Sequence, residues 1–173
     1  TGGVGSLAVD ILARLGYHVV ALTGKAGEAD YLRSLGAAEV MLRDELNLAR
    51  IRPLDRARWA GAVDNLGGDV LAWMASTMMQ GGTIASIGLA ASMNLNTTVA
   101  PFILRGVSLL GVDSGYIGEP YRHNVWQRLA SDMRPPHLAT MARQIAFDEL
   151  PATFDQYIAG HAKGRVVVAV GGA

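Results

Sequence analysis

No cysteine occurs among the 173 residues, which excludes disulfides and thiolate metal centres and fits a reducing cytoplasm. Charge is scarce and balanced: lysine plus arginine number 15, aspartate plus glutamate 15, and charged residues make up 17% of the chain. With no net field to draw it onto nucleic acid or an anionic membrane, the chain needs a local site for any charged ligand. Long apolar runs are also missing, and none reaches the roughly 18 residues that span a bilayer. The histidines, His18, His123, His137 and His161, are scattered without metal-ligand spacing, so no metal site is expected.

What is present argues for a well-packed α/β fold. Half of the residues are hydrophobic and 21 are glycine, a composition that favours a folded sheet with tight turns over disorder. Leu7, Ile11, Leu12 and Leu15 follow helical spacing over 6–15, with Gly16 where a C-terminal cap belongs. YHVVAL (17–22) is a continuous apolar run, as in a strand covered on both faces. A helix over 28–35 ends at Gly36 and a strand over 39–42 follows; then come a strand and turn over 61–67, a helix over 69–79, and strands over 82–88 and 107–114. Met74 and Met78, four apart, are read as the core face of the 69–79 helix. Strands alternating with helices of about ten residues predict βαβ units and a Rossmann-type, doubly wound parallel sheet. Beyond it, 120–142 reads as helix broken at Pro135 and Pro136, followed by QIAF (144–147), a helix near 150–159 and the strand RVVVAV (165–170).

The chain opens on TGGVGS, a glycine cluster running directly into a helix. In a dinucleotide-binding turn one glycine lets the backbone approach the pyrophosphate, another lets the helix pack on the sheet, and the helix N-terminus supplies amides and a positive dipole end. Gly2 and Gly5 suit the latter two glycine positions of G-x-G-x-x-G; the tight-turn glycine would precede Thr1, as would the strand that feeds it. Glycine-rich turns also start many ordinary helices. After the next strand come Thr23, Gly24 and Lys25. NAD enzymes commonly place a carboxylate there for the ribose 2′-hydroxyl; a hydroxyl, a glycine amide and an ammonium suit a 2′-phosphate instead, which favours NADP. The alternative is a solvated turn lysine. Arg43, just past the following strand, is either a further contact at this end or a surface arginine beside Asp44 and Glu45. Asp64 and Asp113 end strands without an evident basic partner.

TGGVGS, TGK (23–25), DYLRSLGA (30–37), MLRDE (41–45), WAGAVDNLG (59–67), PFILRGVSLLGVDS (101–114) and WQRLASDM (126–133) together resemble the cofactor half of a medium-chain dehydrogenase/reductase. More narrowly they resemble its zinc-free, NADPH-dependent acryloyl-CoA reductase and quinone-oxidoreductase-like branch. The resemblance implies that a substrate-gripping lobe lies before Thr1, that residues 1–143 are the NADP-binding domain, and that 144–173 return to that lobe. It implies that Thr1, Gly2, Gly3 and Val4 cradle the pyrophosphate, that Thr23, Gly24, Lys25 and Arg43 hold the 2′-phosphate end, and that Leu89, Ile103 and Ser114 line the nicotinamide side. Position 160 often carries a polar cofactor contact in the family, and Gly160 has no side chain to offer one.

The implied reaction is hydride transfer from NADPH to the β-carbon of an unsaturated acyl thioester, acryloyl-CoA to propionyl-CoA, with a quinone as the alternative substrate. No catalytic residue is expected within this chain. The implied whole is a cytoplasmic homodimer pairing through the apolar edge VSLLGV (107–112), and residues 1–173 alone are expected to be inactive as a reductase. A non-catalytic NADP-binding or oligomerisation module is the reading outside enzymology.

Overall fold

A computed structural model describes residues 1–171; the last two residues of the expected 144–173 segment lie outside the described residues. The elements run α1 (Gly3–Arg14), β1 (Val20–Thr23), α2 (Ala29–Ser34), β2 (Glu39–Leu42), β3 (Trp59–Asp64), α3 (Gly68–Thr77), β4 (Met78–Ser86), α4 (Ala100–Arg105), β5 (Ser108–Gly111), α5 (Glu119–Ala130), α6 (Leu138–Met141), β6 (Ala142–Ala146), α7 (Leu150–Ile158) and β7 (Arg165–Ala169). Strands and helices alternate as the sequence predicts. Every strand ladder is parallel: β1 with β2, β3 with β4 with β5, and β6 with β7. The architecture is α/β and Rossmann-like.

The chain divides into two compact units, one made of Thr1–Glu45 with the chain from Arg122 onward, the other of Leu46–Tyr121. In the first, Val9 of α1, Ala21 of β1, and Tyr31, Leu32 and Leu35 of the α2 region are buried together with Met141 of α6. The helical spacing of α1 and α2 and the alternating burial of β1 put those side chains on one face each. The β6–β7 ladder belongs to this unit and runs in register from Ala142↔Arg165 to Ala146↔Ala169. The strand expected over 165–170 therefore has a partner inside the chain. One further parallel bridge, Gly2↔Gly164, joins the run-in to α1 with the run-in to β7.

In the second unit Leu71 and Ala75 of α3 pack on Met78 and Ile84 of β4 and on Val107. Here one expectation is corrected. Met78 is buried at 0% exposure, yet it is extended, with φ −67° and ψ 147°, and pairs with Trp59. The helix stops at Thr77, whose hydroxyl donates to the carbonyls of Trp73 and Met74. β4 thus starts before Gly82, with an irregularity in the ladder between Trp59 and Gly61. A four-residue spacing of apolar side chains does not separate a helix from a strand that begins inside it.

Candidate functional site

In the first unit α1 starts at Gly3 with Gly2 as its N-cap, no side chain caps it, and no acidic residue stands in its first turn. The amides of that turn have no helical acceptors and meet the positive end of the helix dipole, so the place suits an anion. Thr1 to Val4 occupy it. A Cβ on Gly3 would lie 2.6 Å from Cζ of Arg165, whose side chain would have to shift. The guanidinium of β7's first residue therefore lies across the glycine turn, fixed there by the Gly2↔Gly164 bridge and by the Gly164 N–H bond of 2.9 Å to the Thr1 carbonyl. Nothing in the local pattern of either segment signals this juxtaposition.

At the end of β1, Thr23 is buried and its Oγ1 accepts the Lys25 N–H at 3.0 Å, which closes the turn. Lys25 Nζ donates to the Ala162 carbonyl at 2.5 Å. A Cβ on Gly24 would likewise fall 2.9 Å from Nη2 of Arg43. Arg43 thus lies against the Thr23–Lys25 turn, whereas its ion pair with Asp44 spans 3.9 Å between exposed groups. The fold brings these four residues together, with two cations and no carboxylate among them. Gly160 has φ +72° and closes α7: its N–H bonds Tyr157 O at 3.0 Å and His161 N–H bonds Gln156 O at 2.9 Å. That left-handed position favours glycine, which is a structural reason for the missing side chain.

In the second unit the loop after β4 is pinned to the turn after β3. Asp64, wholly buried, accepts the N–H groups of Leu66 and Gly67 at 3.1 Å, and the Leu66 carbonyl accepts from Ala91 and Ser92 at 2.9 and 3.2 Å. Gly67 has φ +68°, and a Cβ on it would collide with the Ser92 carbonyl. Leu89 stands on this loop with 61% of its surface exposed. It lines a cleft of about 640 Å³ with Leu71, Ile87, Met93, Val112 and Asp113. Ile103, on the exposed face of α4, and Ser114, beyond β5, are not among the lining residues. Arg105 fixes the end of α4 by donating to the carbonyls of Ser76, Met78 and Asp55 at 2.9, 3.0 and 2.5 Å, and Asp113 Oδ1 closes the turn around Ser114 by accepting from Gly115 N–H at 3.0 Å.

Sequence reading passed over Asp10 and took His137 only as one of four scattered histidines. Asp10, on α1, is 1% exposed and accepts the His137 N–H at 3.0 Å and Nδ1–H at 2.7 Å. Among the described residues no three or more histidine, aspartate or glutamate side chains gather where they could hold a metal ion, and no helix is long and apolar enough to cross a membrane.

The zinc-binding dehydrogenase family model matches residues 3–131. The chain is 46% identical, over 171 residues, to the acrylyl-CoA reductase AcuI of Ruegeria pomeroyi, a match that covers 98% of this chain and 51% of that protein. Among solved structures, Escherichia coli K-12 YhdH with bound NADPH is 45% identical with a TM-score of 0.92, over 98% of this chain and 52% of that one. Bacillus subtilis YhfP with NAD bound is 42% identical with a TM-score of 0.91, over 97% and 51%. The chain spans about half the length of the relatives it matches.

Proposed function

The chain belongs to the zinc-binding dehydrogenase family, and on that premise we propose that it is the cofactor-binding half of an NADPH-dependent oxidoreductase that reduces an activated C=C bond, converting acryloyl-CoA to propionyl-CoA. Residues 1–143 would be the nucleotide-binding body and 144–173 the segment returning to a substrate-gripping lobe outside this chain. The observation that carries the reading is the turn at 23–25. Arg43 lies against Gly24 and Lys25 stands beside it, so that turn offers cations, a glycine and a hydroxyl where an NAD site offers a carboxylate.

The residues present fit a dinucleotide. Gly3 and Gly24 are bare where a Cβ would displace an arginine, and those arginines suit the pyrophosphate and the 2′-phosphate. Thr1 to Val4 and Arg165 would hold the former, and Thr23, Gly24, Lys25 and Arg43 the latter. Leu89, Ile103 and Ser114 would flank the nicotinamide. Bound NADPH supplies the hydride. The chain's own work is orientation and exclusion of water: Asp64 and Gly67 hold the loop of Leu89, and Arg105 holds the helix of Ile103. We also propose a homodimer through β5, which pairs with β4 along one edge only and exposes Leu110 at 55%, with Val112 just past its end at 45%.

The test is a titration of the protein from its whole reading frame with NADPH and NADH, before and after Lys25→Met. Loss of one hydrogen bond to a charged group, about 1.5 to 3 kcal/mol, predicts that NADPH binding weakens by about 10- to 100-fold while NADH is little changed. Equal losses for both cofactors would overturn the 2′-phosphate assignment. Acryloyl-CoA measured against a quinone under the same NADPH supply decides the substrate.

A further inference from the structure

Three residues beyond Lys25, in the same turn, stands Glu28, whose N–H bonds the Lys25 carbonyl at 3.1 Å. A carboxylate just past the strand end is the wrong charge for a 2′-phosphate and the right one for a free ribose diol. Glu28 Oε2 is shielded from solvent. What faces it is a cation from the far end of the sequence: Lys163 Nζ lies 2.6 Å away as an ion pair and 4.2 Å from the centroid of the Tyr31 ring. Lys163 follows Ala162, the residue that holds Lys25, and stands two before Arg165. The side chains of Glu28 and Lys163 are 26% and 46% exposed, so water screens the pair only in part.

We propose that the Lys163–Glu28 pair is a cofactor-specificity determinant: Lys163 masks the carboxylate of Glu28, so that Lys25 and Arg43 alone set the charge presented to a 2′-phosphate. The inference rests on the reading of residues 23–25 as the 2′-phosphate end. Both charges of the turn act over the same short range. An unmasked Glu28 would therefore cancel part of the attraction of Lys25 for an anion. Tyr31 adds a second anchor, since its ring carries the ammonium while its hydroxyl donates to Ser6 Oγ on α1 at 2.9 Å.

The experiment is a mutant cycle read by the ratio of dissociation constants for NADPH and NADH, measured on the protein from its whole reading frame. Lys163→Met should lower the preference for NADPH by about three- to fivefold, the scale of a partly exposed charge pair. Glu28→Gln alone should leave it within about twofold of the starting ratio, and Glu28→Gln combined with Lys163→Met should restore it. Lys163→Arg should keep the preference, and thermal unfolding of each variant confirms that the binding species is folded. An unchanged ratio in Lys163→Met overturns the proposal. So does a double variant as impaired as Lys163→Met, because Lys163 would then touch the phosphate itself or merely strap the arm down. Lys25→Met separates the two levels: if it leaves the preference intact the 2′-phosphate reading fails, and if it abolishes the preference while the cycle is additive only the masking fails.

Discussion

Replacing His137 by alanine is a sharp test of how the first unit is held together, because the two halves of its pair with Asp10 are buried so unequally. Asp10 is 1% exposed whereas the His137 side chain is 44% exposed. Taking away the imidazole leaves a buried carboxylate that keeps the hydrogen bond from the His137 backbone N–H. A hydrogen bond to a charged group is worth about 1.5 to 3 kcal/mol, and breaking a fully buried ion pair about 3 to 5 kcal/mol. With one partner half in water, a loss of about 2 kcal/mol is expected for His137→Ala. Asp10→Leu combined with His137→Ala removes the stranded charge and should recover at least half of that loss, because removing both partners of a buried pair is far less costly than removing one. The assay is urea unfolding, with midpoints compared at constant m-value. A loss below about 0.5 kcal/mol for the single variant, the scatter of ordinary surface changes, would refute the argument. A double variant no more stable than the single one would refute it equally.

Gly160→Asn should cost under about 1 kcal/mol, since asparagine tolerates the left-handed closure of α7, whereas Gly160→Val should cost about 1 to 2 kcal/mol; thermal unfolding ranks them. The asparagine variant should also bind NADPH more tightly by supplying the polar group that position 160 lacks, and unchanged affinity would show that the position does not face the cofactor. Leu110→Glu on the open edge of β5 should convert a dimer to a monomer by light scattering, and a dimer that persists would place the interface elsewhere.

The α/β alternation was legible because each element carries its own period: helical spacing in α1, an unbroken apolar run before Thr23, strand runs closed by glycines. The boundary at Met78 was not, since its burial satisfies either period and only the pairing with Trp59 decides. At the candidate site, the cluster of Thr23, Gly24, Lys25 and Arg43 could be anticipated because successive strands of a parallel sheet end on the same side. Arg165, Lys163 and His137 could not. Each meets its partner across more than a hundred residues, through contacts that tertiary packing makes and no local pattern announces.

Lys25 and Lys163 are the only lysines in these 173 residues; the other basic side chains are arginine and histidine. Amine chemistry therefore has an address here. Reductive methylation with isotopically enriched formaldehyde leaves arginine untouched and, among the side chains of this stretch, labels only these two ammonium groups. One of them bonds a backbone carbonyl and the other sits over an aromatic ring. Ring-current shielding should move the methyl resonance of Lys163 away from that of Lys25, so that each reports separately on its own side of the turn as a nucleotide is added.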